Sequence, residues 1–146
     1  MNDERVRSSI EAYIAAWNEH DAEARARLVE RACADDFRLL TSGRCIRGRA
    51  GLGALIAEFQ KRRPGDRARL TSAVEIHEST FRYVGVVDSE GAAPVETLDT
   101  GEHDAEGRIL LVLTFAGAAP PPAPPPSEPM PPLPSVDALP WSGQRS

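Results

Sequence analysis

Few of the features that name a function at sight occur in this sequence. Cysteine occurs twice, at Cys33 and Cys45, a spacing that fits no metal motif. The histidines, His20, His77 and His103, show no metal spacing either. No resident metal and no cofactor is expected. In a reducing compartment two free, mostly buried thiols are the ordinary outcome and a bridge the rarer one. Positive charge is also short. A net charge of −5 and a pI near 5.2 argue against general affinity for nucleic acid or membrane surfaces. No apolar run approaches the roughly 18 residues of a membrane span. The opening "MNDERVRSSI" lacks an apolar export segment, so a cytoplasmic location is expected.

What is present fits one globular domain and a tail. The chain has 146 residues, 41% of them hydrophobic, enough for one domain with its own core. Eleven of the thirteen prolines lie between Pro120 and Pro140. Proline fixes φ and removes a backbone donor, so residues 118–146 are expected to be polyproline II or disordered. The domain is therefore bounded at 1–117. Inside it, Val6, Ile10, Tyr13, Ile14 and Trp17 recur at helical spacing over 3–18. Asp21 suits the N-cap of a second helix ending near Cys33, with Glu23 in its first turn. A third helix over 49–63 carries Leu52, Leu55, Ile56 and Phe59 on one face and stops at "RPGD".

Strand patterns follow at 36–42, 44–48, 67–79, 80–87, 93–103 and 108–115. Ala68, Leu70, Val74 and Ile76 share one face of the 67–79 stretch. Helices first and strands after make an α+β fold whose curved, mostly antiparallel sheet wraps the helices into a cone. Such interiors often hold small apolar ligands.

The stretches "YIAAWNEHD", "ADDF", "GRAGLGALIAEFQKRRPG" and "DAEGRILLVLTF", in this order and spacing, resemble the NTF2-like superfamily. The nearest parts of it are the SnoaL-like and ketosteroid-isomerase-like proteins. The resemblance covers about residues 5–117 and leaves the proline-rich tail unexplained. It implies a conical α+β barrel, often a homodimer through its sheet, with a deep pocket between the first helix and the concave face. Members include isomerases, polyketide cyclases, epoxide hydrolases, dehydratases and non-catalytic binding domains, so fold alone does not fix activity.

In the isomerase-like members a helix tyrosine and a protonated late-strand aspartate donate to a developing oxyanion, and a first-strand aspartate is the base. By offset, the resemblance places Tyr13 and Asp99 at the donor positions. Thr41 falls at the base position, and no acid lies between Asp36 and Glu58. Threonine does not replace a carboxylate base, which counts against that proton transfer. A one-residue slip would exchange Asp99 for Leu98 on the inward face. Trp17, Thr41 and Phe115 complete the expected pocket; Phe59 reads as core. His77 shares parity with Glu75 and Thr71 and is expected to point outward. The basic stretch 44–69 reads either as an anion site or as a solvated helix end.

Two functions follow as expectations. One is a small-apolar-molecule binder with isomerase, cyclase or hydrolase chemistry, Tyr13 and Asp99 being its polar groups. The other is a non-catalytic binding or dimerisation module. The last strand is apolar on both faces, and Leu110 and Val112 are expected to need a cover. A second subunit would supply it, or else Met130, Leu133, Val136, Leu139 and Trp141 of the tail.

Overall fold

The computed structural model describes residues 2–125, 127 and 131–135. Of the tail's apolar residues, Met130, Val136, Leu139 and Trp141 lie outside the described residues. Three helices, α1 (Asp3–Asn18), α2 (Ala22–Ala32) and α3 (Gly48–Arg62), pack in a curved sheet. Its strands are β1 (Cys33–Thr41), β2 (Arg44–Arg47), β3 (Arg67–Leu70), β4 (Glu75–His77), β5 (Thr80–Ser89), β6 (Ala92–His103) and β7 (Ile109–Ala116). The order is β2-β1-β7-β6-β5-β3, with β4 also on β5. Neighbours are antiparallel except β1 and β7, which are parallel.

The helices form where apolar spacing and caps agree. Asp21 accepts a hydrogen bond from the Ala24 N–H at 2.9 Å, satisfying one of the free donors at the start of α2. Val6, Ile10 and Tyr13 of α1 join Leu52 and Ile56 of α3 and Phe37, Phe81, Tyr83 and Val112 of the sheet in one core.

Two details differ from the sequence pattern. The 67–79 stretch is two strands, because the Thr71 and Ser72 N–H groups both donate to the Val84 carbonyl and the Val84 N–H donates to Ser72 Oγ. That sharing bends the chain away between β3 and β4. In β7, Val112 is buried and does not need a cover. Glu102 pairs with Leu111 but His103 with Ile109, so Leu110 is the extra residue of a bulge. The bulge flips parity, turning Ile109 and Val112 both toward the helices and leaving Leu111, Leu113 and Phe115 outside.

The cysteines are free, but only Cys33 is buried; Cys45 is exposed on the edge strand β2. His77 is exposed beside Glu75 at 3.0 Å. Several arginines of the basic stretch are matched at the surface: Arg44 with Glu58, Arg49 with Asp35, Arg63 with Asp66 and Arg69 with Asp88. They read as a solvated, ion-paired surface. Among the described residues no helix is long and apolar enough to cross a membrane.

Candidate functional site

The site is set by how the end of α1 is tied down. Asn18 Nδ2 donates to the Ala68 carbonyl and Asn18 Oδ1 accepts from the Ala68 N–H, each at 2.8 Å. One side-chain amide thus continues the ladder at the free edge of β3. From the other side, Gln60 Nε2 donates to the Trp17 and Glu19 carbonyls at 3.0 and 2.8 Å. Gln60 Oε1 accepts from the buried Arg25 at 2.8 Å, and Arg25 Nε donates to the Glu19 carbonyl. The "NEH" exit is therefore a clamped corner, and Tyr13 and Trp17 are held over the inner face of the sheet.

Across that face runs a row set by register. Tyr83 of β5 stands opposite Asp99 of β6, and Asp99 opposite Thr114 of β7. The adjacent row, Val84, Leu98 and Phe115, points the other way. Asp99 is 6% exposed and Leu98 40%, which settles their parity: Asp99 faces in.

Between α1, α3 and this row lies a hollow of about 120 Å³, lined by Tyr13, Trp17, Phe59, Asp99 and Thr114, among others. Its aromatic wall is ordered, with Trp17 edge-on to Phe59 at 5.5 Å and to Tyr13 at 6.3 Å between ring centres. Asp99 is its one charged lining residue.

The chemistry centres on that carboxyl. The Tyr83 hydroxyl donates to Asp99 Oδ2 at 2.6 Å. The other oxygen, Oδ1, is buried and has no hydrogen-bond partner, the nearby Thr114 hydroxyl falling outside hydrogen-bond geometry, an uncommon state for a buried polar atom. Burial raises the Asp99 pKa from its ordinary 3.8, against the lowering effect of the Tyr83 and Thr114 hydroxyls. Burial first, and then the nearby Asp99 carboxyl, push the Tyr13 and Tyr83 hydroxyls well above the ordinary phenol value. The Cys33 thiol, buried beneath, is pushed up to about 12. These groups are neutral donors at ordinary pH, and Asp99 is the group whose charge is open to change.

Of the five residues singled out in the sequence, the structure brings together Tyr13, Trp17 and Asp99. Thr41 and Phe115 do not join them. Thr41 sits at the end of β1, opposite Arg44. Phe115 lies on the outer face and is 61% exposed, because it shares Leu98's row and not Asp99's. Both line a separate apolar hollow of about 800 Å³ with Leu40, Leu98 and Leu113. Phe59, read as core, lines the inner hollow instead. Tyr83 was missed. "TFRYVGVV" alternates over its first four residues and puts Phe81 and Tyr83 on one face, but nothing local marks that tyrosine as a partner of Asp99; its sixteen-residue offset from Asp99 becomes a contact only through the β5–β6 register.

The geometry has relatives. A SnoaL-like family protein from Agrobacterium tumefaciens strain C58, described as a candidate isomerase, superposes with a TM-score of 0.71 at 28% identity, over 79% of this chain and 99% of that one. The chain has the NTF2-like fold that the SnoaL-like proteins share. An NTF2-like protein of unknown function from Burkholderia xenovorans LB400 shares the fold at TM-score 0.61 and 21% identity, over 85% of this chain and 91% of that one. A ketosteroid-isomerase-like-fold protein from Catenulispora acidiphila, crystallised with trimethylamine, does so at 0.62 and 16%, over 75% and 85%. No protein-family profile matches the chain, and no curated protein does.

Proposed function

We propose that this SnoaL-like protein binds a small, mostly apolar molecule in the inner hollow, with Tyr13 and Asp99 orienting it. The observation that carries this reading is Asp99, a buried carboxyl that lines a mostly apolar hollow and whose Oδ1 has no hydrogen-bond partner. A ligand group supplies the hydrogen bond the protein leaves unmade. Binding is favoured over isomerase-type proton transfer, since a carboxylic acid and a carboxylate base are both needed there. The hollow has one carboxyl, and Thr41 lies outside it.

A thermal-shift screen tests this. A ligand of the hollow raises the melting temperature by linkage. Ala68 lines the hollow, so Ala68→Leu is expected to fill it and to abolish the shift while the variant still melts cooperatively. A shift that survives Ala68→Leu places the ligand elsewhere.

The outer face favours a second reading, a homodimer through the sheet. Leu98 and Phe115 are 40% and 61% exposed on adjacent strands, and the tail's Leu133 is itself 84% exposed and does not cover them. Neighbouring large apolar side chains of this kind mark an association surface. Light scattering is expected to give a dimer for the full chain and for a version ending at Gly117, and a monomer for Leu98→Glu/Phe115→Glu. A monomeric parent chain refutes the dimer.

A further inference from the structure

We infer that the ligand of the inner hollow is a small organic ammonium ion of about four heavy atoms, seated between Asp99 Oδ1 and the rings of Trp17, Tyr13 and Phe59. The inference rests on the binding reading above and names the ligand's chemistry.

Size comes first. At about 30 Å³ for a water-sized group, a 120 Å³ hollow takes roughly four such groups, well below the ~300 Å³ at which drug-sized sites begin. Only part of a sterol or a polyketide would fit inside it without rearrangement. The wall comes next. Three of the lining side chains are aromatic rings, and ring faces attract a desolvated cation. Charge decides between classes. No lysine, arginine or histidine lines the hollow. A carboxylate there has no protein counter-ion, and a buried charge persists only when paired. Either the acid stays protonated or the ligand brings the positive charge. A neutral carbonyl ligand would use the first option, with Oδ1 as donor. It would leave the three-ring wall without a role, whereas an ammonium uses both the rings and the unpartnered oxygen.

The titratable groups facing Asp99 are Tyr83 from β5 and Tyr13 from α1, and the Cys33 thiol of β1 lies near both tyrosines. All three are held neutral. In the empty site burial favours the protonated acid. When the ammonium enters, the Asp99 proton leaves to solvent and the carboxylate–ammonium pair forms. Affinity is therefore expected to increase as pH rises through the folded Asp99 pKa.

The test compares trimethylammonium and dimethylammonium with tert-butanol and acetone by thermal shift and calorimetry on the full chain. Expected are melting shifts with the ammonium ions that grow with pH and exceed those of the neutral compounds. Asp99→Asn is expected to weaken ammonium binding roughly tenfold or more. Phe59→Leu should weaken ammonium binding more than tert-butanol binding. If acetone or tert-butanol binds wild type as well as the ammonium ions do, or Asp99→Asn retains their affinity, the ammonium assignment is overturned and the binding reading stands. If neither class binds while another compound shifts wild type and not Ala68→Leu, the assignment alone again falls. If no compound shifts wild type, both fall.

Discussion

Gly101→Ala is expected to destabilise the protein by roughly 3 kcal/mol or more, at the upper end of overpacking effects. A methyl at Gly101 would sit 1.8 Å from the Leu111 carbonyl oxygen and 2.9 Å from the Phe81 ring. The first obstacle is backbone and does not swing aside. Gly101 lies on the inner face opposite both Phe81 and Val112, one residue before the β6–β7 bulge. Its missing side chain lets β7 pass close to β6 while Phe81 lies over them. Gly53 provides the opposite sign. It is inside α3 and a methyl there meets nothing within 4 Å, so Gly53→Ala is expected to stabilise by about 0.5–1 kcal/mol through helix propensity. Urea denaturation reads both. Equal effects at the two positions would contradict the close approach.

Asp99→Asn is expected to change how stability depends on pH. The folded pKa of Asp99 is raised by burial above 3.8. Between those two values the native state holds a proton that the unfolded chain has lost, so stability falls as pH rises through the window. The effect is fully expressed above the folded pKa. Asparagine keeps an acceptor for the Tyr83 hydroxyl and carries no charge, so the variant lacks this loss. The difference in unfolding free energy, wild type minus variant, should therefore decline with rising pH and then level. Other carboxylates titrate in both proteins and cancel. Guanidinium melts at a series of pH values measure it, and parallel curves would mean that Asp99 is not desolvated.

The helices and their order are legible because apolar residues recur every three or four positions and Asp21 offers a cap. The inward position of Asp99 is less so. "APVETLDTGEH" has few apolar residues, so its parity is set by pairing with Tyr83 and Thr114 on strands far along the chain. The bulge at Leu110 is invisible in "RILLVLTF", where every neighbour is apolar, and it inverted the expected faces of Val112 and Phe115. Asn18 reads as part of a turn. Its role as a tether to Ala68, fifty residues away, depends on β3 being a free edge. Local patterns thus gave the elements, and register gave the site.

The most direct measurement is a crystal structure with whichever compound gives the largest melting shift. Density is expected between the Trp17 and Phe59 rings, within hydrogen-bond distance of Asp99 Oδ1, with Tyr83 still donating to Oδ2. Density instead in the outer hollow, against Leu98 and Phe115, with the inner one unfilled, would contradict the binding reading.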